Sequence, residues 1–328
     1  MVRENWNRGT ELLEFTRVEL DNLIQAAFPD ERVLDSSYAE GGLANTNICI
    51  QLSHAEKPVL LRMFVRDPEQ AKKEYKLSEL IGERVPCPRA LYFSSSNPVT
   101  GHPYLIREWT DGRRLETVVP GVASHELIEL AHSLGATLAA IHSHTFERAG
   151  FFDGDLNVAV PLDLGSRGLI EFAHECLIAR AGGQRLGSEL TAELMQFIAS
   201  EAGLLDEWTG PPCLTHSDFG GSNILVRHES SAWKVVGVLD WEFAFSGTPL
   251  FDFGNLLRRP LGIIEGFEES VAQGYIAAGG QLPASWRQMS LLTDLTAWLE
   301  FLVRPNINSG VIATAQSVIS TTIANWHS

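Results

Sequence analysis

Cysteine is scarce: four residues in 328, each more than 30 positions from the next and none in a CxxC pair, so neither a disulfide framework nor a zinc knuckle is signalled. Basic residues are also in deficit. Lys and Arg number 25 against 41 Asp and Glu, a formal charge of −16, which works against a bulk electrostatic grip on nucleic acid or an anionic membrane. No apolar run approaches the roughly 18 residues that cross a bilayer. The opening stretch MVRENWNRGTELLEF carries charges where a signal peptide needs an apolar segment, and the expectation is a soluble, cytoplasmic protein. There is no internal repeat and no low-complexity tract.

What is present is a composition able to build a large core, with 45% hydrophobic and 20% charged residues. The length fits one large domain or two ordinary ones. Charge is spread unevenly: 13 basic and 16 acidic residues precede Trp109, while 12 and 25 follow from it, giving −3 and −13. An acidic cleft in the second part is one expectation from this, and an acidic solvated surface is the other.

Leu12, Leu13, Leu20, Leu23, Ile24 and Phe28 recur at helical spacing and predict a helix from Thr10 to about Phe28. Three strand-like runs follow, near 32–39, 46–52 and 58–65. Then Asp67, Pro68 and Glu69 open a helix that carries Glu74 and stops at Gly82. Extended runs at 90–94 and 103–109 complete a small antiparallel sheet. From Trp109 the pattern changes to helices at 124–144, 187–208 and 286–303, with an irregular stretch at 150–168. A β-hairpin is expected around the turn-prone residues His228 to Ser231. The fold class is therefore α+β, with residues 1–108 forming one unit and 109–328 a second, mainly helical one.

The segment Thr215-His216-Ser217-Asp218-Phe219-Gly220-Gly221-Ser222-Asn223 contains HxDxxxxN, and Leu239-Asp240-Trp241-Glu242 follows it. Phosphoryl transfer needs a carboxylate beside the attacking hydroxyl and hard oxygen ligands that hold magnesium on the nucleotide phosphates. Asp218 supplies the first, and Asn223 with Asp240 supplies the second. A carboxamide and a carboxylate suit magnesium, whereas zinc would call for His and Cys. The pair His142 and His144 does not share a helix face and is not read as a metal site.

HSDFGGSNILV together with VVGVLDWEFAFSGTPLFDFGNL resembles the aminoglycoside phosphotransferase and choline kinase superfamily. That resemblance implies a bilobal protein kinase-like fold, with a small antiparallel-sheet N-lobe and a larger helical C-lobe. It makes Asp218 the catalytic carboxylate, His216 an organiser of its loop, Asn223 and Asp240 the metal ligands, and Asp252 a brace beneath the loop. It also places Gly41, Gly42 and Asn45 over the phosphates, Arg62 as the phosphate cation with Glu74 as its partner, and Glu108 and Trp109 at the purine. LDWE stands where protein kinases have DFG, which separates the chain from them. Lys72 and Lys73 read as a solvated helix face.

The implied activity is magnesium-dependent transfer of the γ-phosphoryl of ATP or GTP to a hydroxyl of a small molecule. The acidic second part favours an amine-bearing acceptor, an aminoglycoside-like antibiotic first, with choline, ethanolamine, homoserine and amino sugars as alternatives. Asp111, Glu171, Glu175, Trp298 and Glu300 are weaker candidates for contacting it. The rival of another class is a non-catalytic nucleotide-binding module on a kinase fold.

Overall fold

A computed structural model describes residues 12–39 and 45–327. Its first lobe is a five-stranded antiparallel sheet of β1 (Val33–Tyr38), β2 (Thr46–Leu52), β3 (Val59–Met63), β4 (Ala90–Ser94) and β5 (Tyr104–Glu108), in the order β1-β2-β3-β5-β4. Strand alternation puts Leu61 and Met63 into the core beneath helix α1 (Arg17–Gln25), with Leu20, Leu23, Ile48 and Ile50. Arg62 lies between them in sequence, opposite Asn47 and Leu105, and so points to the other face. Helix α2 (Glu69–Ile81) carries Glu74, whose carboxylate reaches Arg62 and Arg107 there.

Helix α1 begins at Arg17 rather than at Thr10, because Thr16 and Glu19 close a reciprocal capping box. Thr10 itself lies outside the described residues.

The second lobe begins with β6 (Arg113–Arg114) and α3 (Leu115–Val118). Its central pair is α4 (Ser124–His142) against α9 (Phe267–Ala277). The two backbones nearly touch: a Cβ on Gly135 would lie 2.0 Å from Val271 O, and one on Gly274 would lie 2.0 Å from His132 O. Leu130, Leu134, Leu138, Phe267 and Val271 fill the core beside this crossing.

Helices α5 (Ser166–His174), α6 (Gly182–Leu186), α7 (Ser188–Glu201), α10 (Trp286–Val303) and α11 (Ser309–Ala324) build a second core around Trp298, Leu299 and Leu302. Past Glu201 the chain tightens into a 3₁₀ turn, so the helix expected to reach 208 ends early.

The stretch 150–168 is not irregular. It forms a hairpin of β7 (Gly150–Phe152) and β8 (Val158–Pro161), turned by Asp153, whose carboxylate accepts the N–H groups of Asp155 and Asn157. These strands continue a sheet with β12 (Phe245–Gly247) and β9 (Cys213–Thr215). The long hairpin is β10 (Ile224–Glu229) and β11 (Ala232–Val238), turned by Ser230 and Ser231, both at positive φ. Helix α8 (Pro249–Leu256) runs directly after β12. The architecture is the bilobal α+β arrangement expected. Among the described residues no helix is long and apolar enough to cross a membrane.

Candidate active site

The loop after β9 is held from below by one carboxylate. Asp252 of α8 is fully buried, and its Oδ2 and Oδ1 accept the backbone N–H groups of His216 at 2.8 Å and Ser217 at 2.7 Å. His142 Nε2 lies 3.0 Å from Oδ2. For successive N–H groups to converge on one carboxylate the chain must turn sharply, and Ser217 does so at φ 67°.

The His216 ring extends the hold. Its Nδ1 accepts the N–H of Asp218 at 3.2 Å, which leaves Nε2 to donate to Leu239 O at 2.9 Å and fixes the neutral tautomer. Leu239 N–H donates to Asn223 O at 2.8 Å, so the end of β11 is tied to both ends of the loop. Asp240 follows in a left-handed conformation, φ 67° and ψ 63°. The 22 positions between Asp218 and Asp240 are closed by the β10–β11 hairpin.

Asn223 Nδ2 donates to Asp218 Oδ2 at 2.6 Å and to its carbonyl oxygen at 2.9 Å, which orients the carboxylate. Burial, with Asp240 nearby, pushes the Asp218 carboxyl above the usual carboxylate range, while Arg258 and the Asn223 bond pull the other way.

Facing this loop, Arg62 Nη2 lies 2.8 Å from Asp240 Oδ1, 3.2 Å from Glu74 Oε1 and 3.8 Å from Glu242 Oε2. Burial disfavours the charge on Arg62, but three carboxylates outweigh it and hold the guanidinium protonated. Glu74 also pairs with Arg107 at 2.5 Å, so two arginines share one fully buried acid. Arg62 Nε and Arg107 Nε are buried with no hydrogen-bond partner. Such donors are costly unless a ligand uses them, and an anion suits them. Glu242, buried beside Asp240, has its carboxyl pushed up to about 7 despite Arg62 and Arg66.

Lys73 is not on a solvated face. It is buried, and its Nζ donates to Glu242 O at 2.6 Å, tying α2 to the segment after Asp240. Helical phase decides this, since one residue earlier Lys72 turns outward to an exposed ion pair with Asp155 at 2.6 Å.

One cleft of about 2190 Å³ collects Asn45, Arg62, Arg107, Glu108, Trp109, Asp218, Asn223 and Asp240 on its walls. Glu74, His216 and Asp252 stand behind this wall, supporting it. Gly41 and Gly42 lie outside the described residues. Glu108 donates its N–H to Arg89 O at 3.0 Å, and its carboxylate, held low by Arg89, pairs with that arginine.

Of the weaker acceptor candidates, Trp298 and Glu300 line the cleft and Asp111, Glu171 and Glu175 do not. The cleft is not acidic in the way the charge surplus suggested: its described walls carry nine carboxylates and eight guanidinium groups. The remaining acidic residues of the second part face elsewhere.

Among the described residues no three His, Cys, Asp or Glu side chains cluster to cage a metal. The oxygen donors of Asn223 and Asp240 nevertheless fit magnesium, which characteristically takes few protein ligands and completes its shell with phosphate and water. Arg107 and Glu242 carry no role in the sequence reading and Lys73 is misplaced there on a solvated face, because their roles follow from register and helical phase, which no short motif records.

Solved structures share this architecture at low identity. The aminoglycoside 2'-phosphotransferase-IIIa GDP complex superposes with a TM-score of 0.71 at 17% identity, covering 95% of this chain and 99% of that one. A GDP and kanamycin complex of APH(2")-IIIa gives 0.70 at 17%, covering 92% and 97%. APH(4)-Ia with ADP and hygromycin B gives 0.65 at 17%, covering 95% and 100%.

Curated relatives include acyl-CoA dehydrogenase family member 11 of Rattus norvegicus, 26% identical over 56% of this chain and 22% of that protein. Probable acyl-CoA dehydrogenase IBR3 of Arabidopsis thaliana is 22% identical over 63% and 25%. The chain thus spans about a quarter of the length of the curated relatives it matches. The family model described as "Phosphotransferase enzyme family" matches residues 37–292, more than half of the chain, and with the kinase-like fold in place this protein belongs to that family.

Proposed function

We propose that this protein is a magnesium-dependent kinase that moves the γ-phosphoryl of ATP or GTP to a hydroxyl of a small molecule. The observation that supports it best is the Asp218 carboxylate, oriented by Asn223 at 2.6 Å on a wall shared with Asp240 and Arg62. Residues 1–108 supply the nucleotide contacts in this reading, and residues 109–328 supply the catalytic loop and the acceptor contacts. Solved relatives of the same fold hold GDP or ADP, and kanamycin, hygromycin B or streptomycin. The dehydrogenase activity in the curated relatives' names is not carried over, because this chain matches only about a quarter of each.

In the reaction Asp218 orients the acceptor hydroxyl and accepts its proton as the new O–P bond forms and the bond to the β-phosphate oxygen breaks. His216, neutral and bonded through both ring nitrogens, positions Asp218 and moves no proton. Arg62 and Arg107, both on the cleft wall, bring guanidinium charge to the phosphates. Asn223 and Asp240 would hold magnesium, which when bound would supply neutralisation of phosphate charge. Because the Glu108 N–H is committed to Arg89, an N–H donor to the purine would come in this reading from the main chain beyond it, at Trp109 or Thr110.

The test compares the parent with Asp218→Asn on a broad panel of alcohols, amine-bearing and not, with ATP and with GTP. Turnover is expected to fall by about two to four orders of magnitude while magnesium–nucleotide binding is kept. Equal ADP release by both proteins, with no phosphorylated product from any alcohol, would favour a non-catalytic nucleotide-binding module.

A further inference from the structure

The acceptor end of the cleft, bounded by α5, α8, α10 and α11, has walls of a particular kind. Its three carboxylates on or near α9 and α10 are already matched: Glu268 with Arg287 at 2.8 Å, Asp294 with Arg258 at 2.7 Å and Glu300 with Arg304 at 2.7 Å. Asp294 also accepts the Trp298 indole N–H at 2.8 Å, so its oxygens are doubly engaged. The cation left over is Arg259, just past α8, which has no ion-pair partner among the described residues.

Around these pairs the rim is apolar and wet. Phe151, Phe243, Ile263 and Leu291 all line the cleft and are 50%, 39%, 60% and 37% exposed. Deeper, Phe172, Phe251 and Phe301 continue the apolar wall. Large exposed hydrophobics that line one cleft offer apolar surface for a ligand to cover. A polycationic sugar would leave that surface in water and would have to break existing pairs to find carboxylates.

Resting on the kinase reading above, we propose that the acceptor is an amphipathic alcohol. Its hydroxyl meets Asp218, its alkyl or aryl body lies along the Phe151–Phe243–Ile263–Leu291 rim, and its remote group is anionic and meets Arg259. The transfer is the one already described: the acceptor oxygen bonds to phosphorus, its proton goes to Asp218, and the nucleoside diphosphate leaves. Arg259 and Ile263 belong to one short segment, so the cation and the apolar rim are presented together.

Three probes that differ only at the remote end decide the charge: ω-hydroxydecanoate, decane-α,ω-diol and ω-aminodecanol, with kanamycin as the polar cation. A four-carbon ω-hydroxy acid decides the apolar part, because each buried methylene is worth about fourfold in affinity. ADP formation with magnesium–ATP and direct titration of each probe are both measured.

The expected order is hydroxydecanoate ahead of the diol and the diol ahead of the amine, with the four-carbon acid at least tenfold weaker. Ile263→Asp should raise KM for hydroxydecanoate tenfold or more. Ile178→Asp, 56% exposed and away from the cleft, serves as the control and should not change it. Arg259→Gln should shrink the preference for the acid over the diol at least threefold. Faster turnover of kanamycin or the amine would overturn the acceptor assignment and leave the kinase reading standing. Binding of hydroxydecanoate without phosphorylation of any decyl probe would overturn the assignment of this class as acceptor, and the kinase reading would then fall only if the broad alcohol panel also gave no phosphorylated product. Absence of both binding and turnover for all the decyl probes would overturn the assignment.

Discussion

Replacing Asp252 by Asn changes one atom type at the base of the active site. The carboxylate accepts the N–H groups of His216 and Ser217, one on each oxygen, and contacts His142 as well. A carboxamide has one accepting oxygen, so in either orientation its NH₂ confronts a backbone N–H. One buried donor is then orphaned, at a cost of about 1–3 kcal/mol, and the surviving bond loses the charge assistance that makes such bonds worth about 1.5–3 kcal/mol. The site has no solvent access to soften this.

The sum is a destabilisation of about 3–5 kcal/mol, read as a fall in the urea midpoint at unchanged slope. The folded fraction should also turn over more slowly, because the displaced N–H groups belong to the residues just before Asp218, and an ångström of misplacement costs about a hundredfold. Asp218→Asn should show the opposite pattern, with stability within about 1 kcal/mol of the parent or above it, since burial already works against the charge there, and turnover almost gone. Should Asp252→Asn lose less than about 1 kcal/mol while keeping full turnover, the brace argument is wrong.

Gly135→Ala would drive a Cβ to 2.0 Å from Val271 O at the α4–α9 crossing, so a loss of about 2 kcal/mol or more is expected by chemical denaturation. Arg62→Lys shortens the side chain whose Nη2 reaches Asp240, Glu74 and Glu242, and the KM for ATP should rise about tenfold or more in steady-state assays. Lys73→Met strips the Glu242 carbonyl of its buried donor and should cost about 1–3 kcal/mol, measured by thermal unfolding. Burial raises the Cys87 and Cys176 thiols to about 11 and Cys213 higher still, so native protein at pH 8 should react slowly with a disulfide reagent at all three and rapidly only once unfolded.

Much of the fold could be read in advance because its elements announce themselves locally. Asp67-Pro68-Glu69 opens α2, the apolar spacing of 124–142 marks α4, and alternating strands flank polar turns. Helices α9 and α11 escape the sequence reading because neither shows a clear apolar stripe; α9 has no side-chain cap, and the Asn308 cap of α11 is not enough by itself to mark a helix. At the site, the HxDxxxxN spacing pointed to residues that the hairpin does bring together. The roles of Arg107 and Lys73 could not be seen, since strand alternation turns Arg107 to the face where α2 packs Glu74 against it, and only packing sends Lys73 inward while Lys72 turns out. The acidic balance of the second part could not be placed in advance for a related reason: composition counts carboxylates without saying which face they occupy or which arginine already holds them.

The Lys73 ammonium grips main-chain carbonyl oxygen, at Glu242 and more distantly at Ala244, instead of a side chain. This anchor does not depend on which side chains stand at 242 and 244, although Glu242 faces Arg62 and Arg66 and Ala244 packs in the core for reasons of their own. The helix that presents Glu74 is by the same token fastened to the segment that follows Asp240, so one ammonium joins the two halves of the site.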